Sequence, residues 1–314
     1  MLTMVSMKPT KKLSWQTHKN WIGESRYWGL WLIAPWLIGL LAFKLIPIAA
    51  SFVLSLTNFM LLEPENTKFV GLKNYFDLFN DPNTGIVFIT TLKLALLLVP
   101  LQTGAAILIA TVLSNKKLMT KNAMRALVFI PSIIPIAANM YMWRGFVNPS
   151  SGWLNRIFLD PLGLERLNIF AGRGAGQALF ILGALWTIGP SIFINMGAIQ
   201  GVPPELHEAA KIDGAGSFRR WIAITLPLIT PAIFFTLILN LTAIFSGSLL
   251  LDRGFNFNSS LSSYDRYIHF VLFRMQKLGA ASSLAWVFFI FVMIVVLVLF
   301  GTSKRWVYFP EQEE

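Results

Sequence analysis

The 314 residues are 55% hydrophobic and only 13% charged, with a mean hydropathy of +0.62, too little charge to cover the surface of a soluble domain of this length. Cysteine is absent, which excludes disulfides, thiol catalysis and cysteine metal sites; the three histidines, His18, His207 and His269, form no pair at metal-ligand spacing. No G-x-x-x-x-G-K-S/T run occurs, so the chain carries no phosphate loop, and any ATP that drives it is bound by another polypeptide.

In chain order, residues 1–27 form a polar tail with Lys8, Lys11, Lys12, Lys19 and Arg26. The tail is longer than a signal peptide's basic region and the apolar run after it is longer than a signal core, so no cleavage is expected. Six apolar segments follow, near 28–57, 86–114, 124–147, 177–200, 226–250 and 282–303. Each has the ~20 residues that cross a bilayer as a helix. Lipid leaves no backbone group unsatisfied, and these runs are too long for barrel strands. The expectation is an all-α integral membrane protein: a tail 1–27, a six-helix transmembrane domain 28–303 and a tail 304–314. Pro131 and Pro135 interrupt the third segment. Gly172–Gly176 is glycine-rich without a βα context and reads as a turn.

The net charge of +11 suggests nucleic acid only until its distribution is considered. With the N-terminus inside, the cytoplasmic segments hold fourteen Lys and Arg: the tail five, then Lys116, Lys117, Lys121, Arg125, Lys211, Arg219, Arg220, Lys304 and Arg305. The outer loops hold nine, offset by eight acids. The surplus is therefore a topology signal, with both termini cytoplasmic. Trp28, Trp31, Trp143, Trp153, Trp221 and Trp306 lie near span ends, as interfacial anchors do. Lys93 and Arg144 lie near outer span ends; Lys44 is deeper, placed either to snorkel or to face an aqueous interior.

Between the fourth and fifth segments stands a polar island, residues 201–227. Pro203-Pro204 suits a first helical turn. Glu205 and Glu208 sit where a helix dipole favours negative charge. Gly214 stops that helix, Ser217 is placed to cap a second short one, and Pro227 to open the next span. Ala209-Ala210 gives the first helix a low face that another protein can approach closely.

The pattern Glu208-Ala209-Ala210, three residues, Gly214, then Ile224-x-Leu226-Pro227 resembles the EAA loop in the membrane subunits of bacterial ABC importers, the binding-protein-dependent permeases. Phe69-Val70-Gly71-Leu72-Lys73-Asn74-Tyr75, Arg125–Pro131 and Trp143–Pro149 are similar to elements of the sugar-type members, in particular the larger subunit of the maltose, oligosaccharide and glycerol-phosphate group. Leu251–Asn258 departs from the group, which carries a Gly-Gly-Pro element there. The resemblance implies a type I importer fold and a complex of this chain, a second permease subunit and two ATPases that bind ATP and Mg. It also implies an external solute-binding protein and a sugar or polyol as cargo. Glu208, Ala209, Ala210, Asp213 and Gly214 would then couple to the ATPase.

For the pathway, Leu239, Thr242, Ala243 and Ser246 follow i, i+3, i+4, i+7 and share one helical face. The resemblance places that face, and Trp186, Thr187 and Ser191, along the sugar route, with Asn240 and Asn195 as further polar candidates. Ser and Thr in membrane helices also serve packing and bond to their own backbone, so each residue carries two readings. An ion-driven transporter calls for intramembrane carboxylates, and no Asp or Glu lies inside a predicted span. An intramembrane enzyme calls for a catalytic constellation, which is not visible. A permease for glycerol phosphate remains an alternative, with Lys44 as the cation to test.

Overall fold

A computed structural model describes residues 28–115, 118, 120–166, 181, 183–245 and 263–308. The chain divides into two compact units, Met1–Val53 and Leu54–Glu314. The first holds most of α1, which runs as Trp28–Leu40, a π turn Leu41–Leu45 and then Ile46–Ser55. Residues Trp31–Ser55 are long and apolar enough to cross a membrane.

The π turn has a local cause. Pro47 has no N–H and its ring crowds the carbonyl four residues back, so the ladder widens ahead of it and Ile46 N–H donates to the Leu41 carbonyl. The same spacing recurs twice. Leu226 N–H donates to Trp221 just before Pro227, and Asp160 N–H to Asn155 just before Pro161. Each of these π turns ends two residues before a proline.

The second unit is built on α3, Pro82–Leu113, after the short helix α2, Lys73–Asn80. At ~1.5 Å per residue α3 is ~48 Å long, well beyond a ~30 Å hydrocarbon core. Its entry is fixed by Asp81, whose carboxylate accepts from Asn83 N–H at 3.1 Å, with Pro82 in the first turn. The Val-Gly-Leu-x-Asn-Tyr run holds the end of α1 here. Asn74 donates to the carbonyls of Ser55 and Thr57 at 2.7 and 2.8 Å, the Tyr75 and Ser55 hydroxyls bond at 2.7 Å, and Gly71 takes φ +60°.

After α3 come α4 (Lys121–Ile133), α5 (Ile136–Phe146), α6 (Gly189–Gln200), α7 (Pro204–Ile212), α8 (Ser217–Leu228), α9 (Thr230–Phe245), α10 (Tyr264–Phe273) and α11 (Leu278–Ser303). Among the described residues α1, α3 and α11 are long and apolar enough to span singly, and α8 with α9, bent by 69° to one another, are so only as a pair. The third predicted span is broken at Ile134, extended at φ −67°, ψ 128° because Pro135 follows it. The fourth is helical at 181 and 183–185, turns at Trp186–Thr187 and resumes as α6; residues 177–180 and 182 lie outside the described ones. The bend at Ile229 sits between Pro227 and Pro231, and Thr230 Oγ1 donates to the Pro227 carbonyl at 2.6 Å.

Three layers succeed one another along α3. The first is apolar: Val87, Leu94 and Leu98 against Phe245, Tyr264 and Phe288 from α9, α10 and α11. The last is also apolar: Ala106, Ala110 and Leu113 against Ile192 and Met196 of α6. Between them lies a buried polar layer. Asn240 donates to Thr103 Oγ1 at 3.2 Å and accepts from Ser191 Oγ at 2.9 Å, and Asn195 donates to the Ser191 carbonyl and to Thr236 Oγ1. Gln102 reaches the Ala184 carbonyl at 2.9 Å, just ahead of the break in the fourth span.

The helix α10 lies between the fifth and sixth predicted spans. Tertiary contacts hold it: Tyr264 N–H donates to Thr91 Oγ1 at 2.7 Å, Tyr267 Oη to Asp81 at 2.6 Å, and the Tyr264 ring stacks on Phe288. Burial pushes the Asp81 carboxyl up, but the Tyr267 hydroxyl, Asn83 N–H and Thr84 together hold it below its ordinary value of 3.8. The α10–α11 turn brings Gly279 N–H to the Phe59 carbonyl at 3.1 Å, so close that a Cβ on Gly279 would overlap the Thr57 carbonyl.

Candidate coupling loop and translocation pathway

The polar island forms the expected pair of short helices. α7 begins at Pro204 and its end is closed by two bonds, Ala215 N–H to the Ala210 carbonyl at 2.9 Å and Gly214 N–H to Lys211 at 3.1 Å. Gly214 takes φ +77°, the left-handed C′ position of a Schellman turn. Asp213 is the C-cap. Two expectations are corrected. Gly216, not Ser217, is the N-cap of α8; Ser217 lies in the first turn and its hydroxyl accepts from Arg220 at 3.3 Å. Pro227 does not open the next span, because α8 is continuous from Ser217 to Leu228, its π turn Trp221–Thr225 accommodating the proline.

The loop has an anchored face and a free one. His207 Nε2 lies 3.5 Å from Thr225 Oγ1, Trp221 Nε1 donates to Thr111 Oγ1 of α3 at 3.1 Å, and Ala210 and Ala215 are half-buried. Glu208, Ala209, Asp213 and Gly214 are exposed, with Ile212 87% exposed beside them. The alanine pair is thus divided: Ala209 faces outward and Ala210 faces the body. Behind α7 lies a cavity of about 660 Å³ lined by Ser114, Asn115, Arg125, Gln200, His207 and Glu208, with Ile199, Val202 and Pro204.

The pathway candidates fall in three places. Ser191, Asn195 and Asn240 belong to the buried polar layer and spend their side chains on one another and on Thr103 and Thr236. Leu239, Thr242 and Ala243 do share a face, and it lines an apolar cavity of about 670 Å³ with Phe245, Ile268, Phe288 and Phe289. There Thr242 Oγ1 donates back to the carbonyls of Ile238 and Leu239. Trp186, 45% exposed, lines a third cavity of about 660 Å³ with Tyr141, Trp143, Phe146 and Trp153; the Trp143 and Trp186 rings meet edge to face at 6.1 Å. Thr187 is half-buried at the adjoining turn. Ser246 and Leu251–Asn258 lie outside the described residues. Lys44 sits in the π turn of α1 and is exposed.

Trp143 and Trp153, expected as interfacial anchors, line the third cavity with Trp186, as does Tyr141, for which the sequence carries no expectation. Their spacing from Trp186 carries no signal, since the break at Ile134–Pro135 decides which residues meet. Among the described residues no group of three or more His, Asp or Glu converges.

Residues 102–308, which hold the loop and all three cavities' principal walls, match the family described as binding-protein-dependent transport system inner membrane component. The chain belongs to that family.

Relatives agree along most of its length. A Bacillus subtilis protein named "Probable ABC transporter permease protein YesP" is 32% identical over 91% of this chain and 93% of its own. The trehalose/maltose transport system permease protein MalF of Thermococcus litoralis is 31% identical over 67% and 71%. The lactose transport system permease protein LacF of Rhizobium radiobacter is 28% identical over 88% and 94%. In the crystal structure of a bacterial alginate ABC transporter in complex with an alginate pentasaccharide-bound periplasmic protein, one chain superposes with a TM-score of 0.74 over 89% of this chain and 95% of its own. At 22% identity that likeness concerns the fold, an all-helical ABC permease fold. As a member of the family, the protein is a non-catalytic inner-membrane component of a transport system.

Proposed function

We propose that the protein is the translocation subunit of an ATP-driven importer for a sugar, oligosaccharide or polyol. Its helix α7 couples closure of an ATPase to alternating access. Family membership and the geometry of α7 support this reading together: a short helix, stopped by a Schellman turn and set against α8 through His207 and Thr225, with α8 bonded to α3 through Trp221, offers Glu208, Ala209 and Asp213 to a partner. A helix so held transmits displacement with little side-chain slack. The sugar class draws support from the relatives named for trehalose/maltose and lactose.

The working complex contains this chain, a second permease subunit, two ATPases carrying ATP and Mg, and an external binding protein that delivers the cargo. Both termini, and the loop 201–227, face the cytoplasm. The cargo runs past Trp186 and Thr187 and along Leu239, Thr242 and Ala243, with Ser246 continuing that face; Ser191, Asn195 and Asn240 fix the helices that frame it. Neutral hydroxylated cargo fits walls of aromatic and small polar groups.

Uptake and ATP hydrolysis in proteoliposomes holding the assembled transporter test the reading. Glu208→Lys and Gly214→Asp should each lower solute moved per ATP at least about tenfold, the scale of a coupling free energy, with the permease still folded. Wild-type transport by both variants overturns the assignment.

A further inference from the structure

The cavity behind α7 holds two opposite charges that the described structure leaves apart. Arg125, in the first turns of α4, and Glu208, on α7, both line it. Arg125 is half-buried; its Nη2 donates to the Leu113 carbonyl at the end of α3 at 3.1 Å, and its Nε is sealed from solvent without a hydrogen-bond partner among the described residues. Beside it the Ser114 hydroxyl is likewise buried and unpartnered. Among the described residues the contacts of a basic with an acidic side chain within 4.0 Å are Arg166–Asp160 and His269–Asp265, so neither Arg125 nor Glu208 is in an ion pair. A sealed guanidinium N–H with no acceptor is costly, and the acid among the cavity's walls is Glu208.

We infer that Arg125 is the intramolecular receiver of Glu208: when α7 moves toward α4 the cavity closes and the two side chains pair, so the displacement passes into the third span as well as into α6 and α8. The inference rests on the coupling role proposed for α7. It makes Arg125 a positioning residue that acts through Glu208. The wall it belongs to suits the part. α4 packs on α6, where Gly189 sits against Val128, Phe129 and Ser132, and α4 ends at the break before Pro135. A push on Arg125 therefore reaches the helix that ends at the Ile134–Pro135 break.

The test uses the assembled transporter with Arg125→Gln, Glu208→Gln and the double variant, reading uptake per ATP hydrolysed and ATPase co-purification. Each single change should lower coupling about tenfold, and the double change should lower it no further, because partners that act through one another are not additive. The chain has no cysteine, so Arg125→Cys offers a chemical rescue. A thiol reagent that installs an aminoethyl cation should restore coupling in that variant, and one that installs a neutral methyl should not; the unsubstituted transporter serves as the reagent control. Multiplying losses in the double variant, or equal recovery with both reagents, overturns the pairing. Glu208→Gln with wild-type coupling also overturns the pairing, whereas the coupling role of α7 falls only if Glu208→Lys and Gly214→Asp both transport as wild type, so the two failures are distinguishable. If Arg125→Gln fails to assemble, Arg125→Lys, which keeps the charge, must assemble and retain coupling for the pairing to stand.

Discussion

The two ends of α3 are braced in different ways. At the Asp81 end, partners distant in sequence are tied by side-chain bonds: Tyr267 to Asp81, Tyr264 to Thr91, Asn74 to the end of α1. At the Leu113 end, the loop helices are shaped by local caps and turns and α8 is joined to α3 through Trp221–Thr111, while Arg125 of α4 bonds the Leu113 carbonyl and a cavity lies between α4 and α7. The first arrangement suits a part that must keep its shape, the second a part that must shift. Damage to stability should therefore concentrate at the Asp81 end, and damage to coupling at the loop.

The largest structural effect should come from Gly279→Ala. Its new methyl meets the backbone of Thr57 rather than a yielding side chain, so a loss of about 3 kcal/mol or more, or failure to accumulate in membranes, is expected. Thermal unfolding in detergent measures it; wild-type stability would mean that the α10–α11 turn is less tightly seated on residues 57–59.

Tyr267→Phe removes a hydrogen bond to a carboxylate and should cost about 1.5–3 kcal/mol at neutral pH. The pH dependence has a definite sign. Asp81 is held below 3.8, so its contribution to stability is complete above 3.8 and fades as pH falls through its lower folded value. The variant should show a shallower loss in acid than the parent; parallel acid limbs would mean that Tyr267 is not what holds Asp81 ionised.

Asn240→Leu should have a smaller effect, about 1 kcal/mol, the usual scale of a polar contact between membrane helices, although Ser191 and Thr103 both lose a partner. At the loop, Glu208→Lys should shift the same unfolding transition by less than about 0.5 kcal/mol, as exposed substitutions do, while uncoupling transport. A large stability loss there would erase the distinction between the two ends.

Much of the loop was legible because its signals are local. Pro203-Pro204, Glu205 and Gly214 act within one or two helical turns, and the observed α7 follows them, with Glu205 in its first turn and Glu208 beyond it. The misplacement of the cap to Ser217 has a local cause too: Gly216 takes the extended conformation first, at φ −65°, ψ 161°, and leaves Ser217 inside the helix. The proposed pathway was less legible. The face of Leu239, Thr242 and Ala243 follows from period alone, but which side of α9 meets α3 does not, and Asn240 turned out to belong to the packed side.

The sequence by itself determined that this is a helical membrane protein, where its apolar runs lie, and that a polar helical loop stands between two of them. Lipid demands long apolar segments with satisfied backbones, and caps, glycines and prolines act on their own neighbourhood. The three π turns each end two residues before a proline, but Pro35, Pro100 and Pro131 lie inside α-helices without one, so the proline alone does not set them. The tertiary structure decided the helix α10, the polar layer across α3, α6 and α9, the meeting of Trp143 with Trp186, and the shared cavity of Arg125 and Glu208. These join residues up to 186 positions apart, and no periodicity within a segment records which face of one helix will find which face of another.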